Sequence, residues 1–157
     1  MGARPMSTLT LIHVAISLVG IGAGLVVIYG FLTGARLKAM NLLFLVMTIL
    51  TSVTGFFFSY KGVTPGIVVG AISLVVLAVT LVALQKGWSK TYMITAIVAE
   101  FFNVLVLIVQ SFQKVPALHA LAPMGTEPIT TVVKLVALLL FVGLGVLAVR
   151  KRVFVLG

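Results

Sequence analysis

Long runs of apolar residues alternate with short polar connections along almost the whole chain. Five such runs can be delimited, at residues 8–33, 42–58, 66–84, 91–112 and 131–149. An α-helix needs about 20 residues to cross about 30 Å of hydrocarbon, and the runs lack the alternating period of barrel strands. The pattern predicts an all-α polytopic membrane protein: a five-transmembrane-helix bundle that forms a single domain over residues 1–157.

The fourth connection, residues 113–130, is longer than the others and contains three prolines. Each proline removes a backbone donor and disfavours helix in the preceding residue, so a spanning helix cannot run through this region. Residues 117–122 can still form about one and a half helical turns. We predict a short interfacial segment, an outer lid, with a lid or partner role for seven residues: Pro116, Leu118, His119, Leu121, Pro123, Glu127 and Pro128.

Composition strengthens the membrane assignment. Apolar residues make up 62% of the chain and charged residues 8%, and the mean hydropathy is +1.34, which is far outside the range of soluble domains. The formal net charge is +9, but the basic residues lie in short groups between apolar runs, as expected beside an anionic leaflet. We expect a lipid bilayer as the partner, and not nucleic acid. The absence of cysteine excludes disulfides and thiolate metal sites.

The basic residues also predict an orientation. Five spans put the termini on opposite faces, and the positive-inside rule assigns the more basic face to the cytoplasm. One face receives seven basic residues: Arg36, Lys38, Lys86, Lys90, Arg150, Lys151 and Arg152. The other receives four, accompanied by Glu127: Arg4, Lys61, Lys114 and Lys134. We therefore predict an outer N-terminus, a cytoplasmic C-terminus and a lid on the outer face.

The fourth predicted helix carries a polar stripe. At 100° per residue, six of its residues project within an arc of about 80°: Ala96, Glu100, Asn103, Leu107, Gln110 and Lys114. Glu100 falls near the bilayer midplane, where an ionised carboxylate is costly, so it stays protonated or has a partner. One hypothesis makes this stripe a path for protons or small cations. The other makes Glu100 a neutral, hydrogen-bonded contact between helices.

Two histidines, His13 and His119, are expected on the outer face. Imidazoles can ligate a metal or a haem, but the chain lacks a recognisable spacing such as H-x-x-x-H. The two residues are weak metal candidates, and we expect no cofactor.

Small residues on the first helix predict close packing between helices. Ser17, Gly20 and Gly24 lie along one stripe of the first helix at the spacing that lets backbones approach closely. We expect this stripe to pack inside the bundle and not to form a homodimer seam.

Three segments also resemble a known group of proteins. They are NVLVLIVQSFQKVPALHALAP at residues 103–123 with EP at 127–128, SVTGF at 52–56, and ISLVVLAV at 72–79. Together they resemble a family of small bacterial integral membrane proteins of uncharacterised function that carry a KVPALxxLAP segment followed by EP. The resemblance covers most of the chain and implies a bacterial inner-membrane location, without an activity, cofactor or catalytic residue. The family pattern is usually apolar at the position of Glu100.

The function predicted from the sequence is association. The chain has no nucleophile elbow, phosphate-binding loop or dinucleotide fingerprint, and its two acidic residues leave little scope for acid–base catalysis, so we expect no enzyme. Small size and small-residue packing surfaces indicate an inner-membrane protein that acts as a homo-oligomer or as an accessory subunit of a larger membrane complex. The first alternative is a small transporter or channel for protons or small cations that uses the polar stripe. The second is a metal or haem carrier that uses His13 and His119.

Overall fold

The computed structural model describes residues 7–58, 62, 64–151 and 153–155. Over these residues it is all-helical, with helices α1 (Thr8–Thr33), α2 (Lys38–Gly55), α3 (Pro65–Gln85), α4 (Ser89–Lys114), α5 (Pro116–Leu121) and α6 (Pro128–Lys151). Every helix except α5 is long and apolar enough to cross a membrane. The predicted bundle of five transmembrane helices with a short segment before the last is confirmed.

The observed helix bounds differ from the predicted ones by a few residues. The first helix lies where it was predicted, and α3, α4 and α6 extend past the predicted 66–84, 91–112 and 131–149 because their polar terminal turns are also helical. Helix α2 begins at Lys38 and ends at Gly55, and not at the predicted 42 and 58. The predicted span includes the apolar residues that follow Gly55, but in the structure these residues form a turn. The predictions made for Arg4, Lys61 and Arg152 lie outside the described residues.

Local hydrogen bonds at the helix ends determine where α1 and α3 begin and where α1 ends. The Ser7 side chain accepts a hydrogen bond from the Thr10 backbone N–H at the start of α1, and Thr64 does the same for Ile67 before α3. At the other end of α1, Gly34 adopts the left-handed conformation (φ 78°) and its N–H donates to the Gly30 carbonyl. These caps therefore set the first residues of two membrane spans and the point at which the chain leaves the first span.

Four helices surround a central space. In order around the bundle, α1 contacts α2, α2 contacts α3, α3 contacts α4, and α4 returns to α1, while α6 packs against α4 and α1. Helix α4 therefore contacts every other helix. The beginnings of α1 and α3 and the ends of α2 and α4 lie at one face of the bundle, which we call the mouth face. The opposite face is the closed face.

Large apolar side chains cover the outside of the bundle. Leu139 is 70% exposed, Val75 66% and Leu42 65%. In water such a surface would be costly, whereas lipid tails solvate it. Together with the five spans, this surface is that of a multi-pass membrane protein.

The closed face is sealed by an aromatic plug, formed by Phe31, Tyr92 and Phe154. Phe154 lies beyond α6, yet it is only 5% exposed, and its ring centroid is 4.8 Å from that of Phe31 and 6.4 Å from that of Tyr92. Lys151 Nζ also donates to the Leu32 carbonyl at 3.3 Å. The C-terminal residues thus return to the end of α1 and close this side of the bundle.

Candidate functional site

A cavity of about 430 Å³ lies inside the ring of α1, α2, α3 and α4, in the half nearest the mouth face. Each of the four helices contributes both apolar and polar or small residues to its wall. The lining residues include Thr10, His13, Ser17 and Leu18 from α1, Thr51 and Ser52 from α2, Ser73 from α3, and Asn103, Val106, Gln110, Ser111 and Lys114 from α4. The volume falls in the range of pockets that hold small organic ligands, about 300–1,000 Å³.

The cavity reaches about halfway through the membrane. Its α4 wall runs from Lys114 at the mouth to Asn103 at the floor, which at 1.5 Å per residue is about 16 Å. The hydrocarbon core is about 30 Å thick. Four of the residues predicted for the polar stripe, Asn103, Leu107, Gln110 and Lys114, lie on this wall.

Glu100 lies one helical turn below the floor and is fully buried. Asn103 connects it to the cavity: the Asn103 Nδ2 group donates to Glu100 Oε2 at 3.3 Å and to Thr48 Oγ1 on α2 at 3.1 Å. Glu100 Oε1 has no hydrogen-bond partner among the described residues. The carboxyl group is therefore held on one oxygen and uncommitted on the other, in a place where a negative charge is costly.

A glycine on α1 makes room for this carboxyl group. A Cβ atom at Gly24 would meet Glu100 Oε2, would lie 2.5 Å from Glu100 Cδ and would lie 2.9 Å from Phe44 Cδ2. The small-residue stripe predicted on α1 thus has a specific neighbour at this level. Gly24 permits the close approach of α1 and α4 that buries Glu100.

Below Glu100 the bundle is closed. Phe44 lies beside the carboxyl group and is 1% exposed, and the aromatic plug follows on the same side. Tyr92 is eight residues before Glu100 in α4, a distance of about 12 Å along the helix. Glu100 therefore contacts the cavity floor through Asn103, and packed side chains lie between it and the closed face.

His13 lines the cavity and has a defined neighbour. Its Nδ1 atom lies 2.8 Å from Thr54 Oγ1, and its ring contacts that of Phe58 edge to face. The Thr54 hydroxyl has one proton, which its 2.7 Å bond to the Leu50 carbonyl uses. His13 Nδ1 is then the donor, and Nε2 carries the lone pair.

His119 is not part of this arrangement. It is exposed on α5 and does not line the cavity with His13. Within the part of the chain that the structure describes, no group of three or more His, Cys, Asp or Glu residues could hold a metal ion.

The segment predicted as a lid forms α5 and the turn that follows it. Pro116 occupies the first turn of α5, and Pro128 begins α6, where a missing N–H costs nothing. Leu121 is 58% exposed. None of the seven residues assigned a lid or partner role lines the cavity, and the wall ends at Lys114 and Val115.

Glu127 stabilises the turn between α5 and α6. Its Oε1 atom accepts a hydrogen bond from the Met124 backbone N–H at 2.8 Å, and this bond lowers the pKa of the Glu127 carboxyl group. Pro123 lies in the same turn. A structural role for Glu127 follows from this contact.

Sequence reasoning missed the contribution of α2. Thr48 bonds the residue that holds Glu100, and Thr51 lines the cavity with a buried hydroxyl that has no partner among the described residues. A helical-wheel analysis of the second helix would have placed Thr48, Thr51 and Ser52 on one face, because three- and four-residue spacings share a face. Threonine and serine are common in apolar helices, so these positions alone do not indicate a site.

Comparison of the chain with protein-family models, with curated proteins and with solved structures finds no match. The resemblance to small bacterial membrane proteins stays a prediction.

Proposed function

We propose that the protein is a small membrane transporter in which Glu100 accepts protons that enter through the cavity. The observation that supports this most directly is the connection at the floor: Asn103 lines the cavity and donates to the sealed Glu100 carboxyl group. Ionisable groups inside a membrane are costly, and they often mark proton relays or ion paths. The alternative structural role for Glu100 accounts less well for its position directly below a cavity.

The surroundings of Glu100 suit a proton better than a metal cation. Hard cations need several oxygen ligands, but Asn103 directs a donor, Nδ2, at the carboxyl group. A proton needs only one free acceptor, and Glu100 Oε1 offers one.

Transport then requires an alternation of access. Among the described residues, Asn103 links Glu100 to the cavity on the mouth side, and the aromatic plug lies on the other side. Release toward the closed face requires Phe154 to leave its place against Phe31 and Tyr92. Alternating access around a site near the midplane is the general scheme of secondary transporters.

The test is proton uptake into liposomes that contain the purified protein, driven by an imposed potential and followed with a trapped pH dye. The wild type should acidify the vesicles, and Glu100→Gln, which keeps the size and the hydrogen bonding but cannot give up a proton, should transport at least tenfold less. Glu127→Gln removes the only other acidic side chain and should transport like the wild type. Equal uptake by wild type and Glu100→Gln would contradict the proposal, as would no uptake above protein-free liposomes.

We further propose that the protein lies in a bacterial inner membrane with the mouth face outward. The location rests on the family resemblance, and the orientation on the excess of basic residues toward the closed face. Because the chain has no cysteine, the labelling of single introduced cysteines can report the orientation without background labelling of native residues. Met124→Cys, at a position 83% exposed beside the mouth face, should react with an impermeant maleimide in intact spheroplasts. Lys86→Cys, on the opposite face, should react only after permeabilisation, and the reverse pattern would invert the orientation.

Association as an oligomer or an accessory subunit stays a prediction from the sequence. The exposed apolar side chains that such contacts would use are also those that lipid covers. Native purification with analysis of copurifying proteins tests it independently of transport.

A further inference from the structure

The cavity is larger than a proton path needs. A chain of single waters would occupy only a small part of about 430 Å³. Much of its wall is apolar, with Leu18 on α1 and Val106 on the neighbouring α4, while hydroxyl and amide groups are spaced along its length. Apolar walls with a few convergent polar groups are typical of sites for small organic molecules.

The charge on the cavity wall has a single sign. Among the described residues that line the cavity, Lys114 is the one permanent charge and none is acidic. Lys114 lies at the mouth together with the neutral polar side chains of Thr10, Gln110 and Ser111. An ammonium group near a low-dielectric cavity attracts anions and repels cations, and neighbouring hydroxyl and amide groups can donate to the same anion. The mouth therefore favours a negatively charged head, and the wall below favours an apolar body.

We propose that this cavity binds an amphipathic monocarboxylate, with the carboxylate at Lys114 and the apolar body between α1, α2, α3 and α4. The proposal concerns the cavity and goes beyond proton transport by Glu100. Equilibrium binding tests the carboxylate site, whereas proton uptake tests the role of Glu100. The failure of one proposal can therefore be distinguished from the failure of the other.

The binding test uses three probes that share an octyl body and differ in their heads: octanoate, octanol and octylammonium. Binding is measured calorimetrically with the full chain in nanodiscs of neutral phosphatidylcholine, with empty nanodiscs subtracted. Octanoate should bind at least tenfold more tightly than octylammonium, and Lys114→Gln should weaken octanoate about tenfold, because a charge-assisted contact is lost. The affinity for octanol should not change in Lys114→Gln.

Two further variants locate the probe. Lys134→Gln removes a charge from α6 that does not line the cavity, and it should leave octanoate binding unchanged. Val106→Phe fills the cavity and should weaken octanoate and octanol together, while gel filtration and thermal unfolding verify that the variant remains folded. Octylammonium binding as tight as octanoate would overturn the proposal, as would unchanged octanoate binding in Lys114→Gln or in Val106→Phe.

A last arm separates a free carboxylate from a lipid headgroup, which could supply a similar anion. Nanodiscs containing phosphatidylglycerol should bind octanoate as tightly as those of phosphatidylcholine alone. Competition by phosphatidylglycerol would assign the site to lipid and overturn the free carboxylate.

Discussion

Gly24→Ala should destabilise the bundle by about 1–3 kcal/mol, the usual cost of overpacking a well-filled interior. The added methyl group would meet the Glu100 carboxyl group and the Phe44 ring. Glu100 is the end of a flexible side chain, but it is fully buried, so moving it breaks its contact with Asn103. The measurement is thermal or denaturant unfolding in detergent, together with proton uptake, which should fall because the carboxyl group is displaced from below the cavity floor.

The chain provides a matched control for this prediction. Gly22 lies in the same helix, and a Cβ atom there would meet nothing within 4 Å. Gly22→Ala should therefore be neutral, or stabilising by up to about 1 kcal/mol from its higher helix propensity. Glu100→Ala should make room for the methyl group added at position 24, so Gly24→Ala should cost less in that background. Equal losses from Gly24→Ala and Gly22→Ala would show that the Gly24–Glu100 contact does not limit the packing.

Phe154→Ala should destabilise the protein by about 3 kcal/mol, at the lower end of the range for a buried phenylalanine. Phe154 fills the aromatic plug between Phe31 and Tyr92, and its removal leaves a gap that the neighbouring rings cannot fill. Because the plug also closes the side below Glu100, proton leak in liposomes should rise while stability falls.

Val155 supplies the control for the plug. It is the next residue in the chain and is 55% exposed, so Val155→Ala should change stability by less than about 0.5 kcal/mol. If Phe154→Ala unfolded at the wild-type temperature with wild-type leak, the C-terminal residues would not close the bundle.

The membrane spans could be predicted because hydropathy alone determines them. Apolar runs that are long enough to cross the hydrocarbon core and lack the period of barrel strands must form helices in lipid. This rule predicted all five spans. The ends of the helices were less predictable. Lys38 is polar and yet lies in a helix, whereas Phe57 is apolar and yet lies in a turn.

The site could be predicted only where it follows one helix. The period of α4 placed Asn103, Gln110 and Lys114 on one face, and the structure places them on one wall of the cavity. Contacts between helices have no such signal in a single sequence. The Thr48–Asn103 bond joins residues 55 positions apart, and the return of Phe154 depends on tertiary packing that a short apolar tail does not reveal.

The central claim is that Glu100 exchanges its proton with water on the mouth face in the described conformation, and with water on the closed face only after the aromatic plug opens. The most direct measurement is infrared spectroscopy of the protein in oriented liposomes while the pH of one compartment is stepped and the other is held constant. The chain has only two acidic side chains, so a protonated side-chain carboxyl band that is absent in Glu100→Gln and present in Glu127→Gln belongs to Glu100. We predict that this band responds to the pH of the compartment that the mouth face contacts. A band that ignores that compartment, or that follows the pH on the closed face as fast as the pH on the mouth face, would contradict the account.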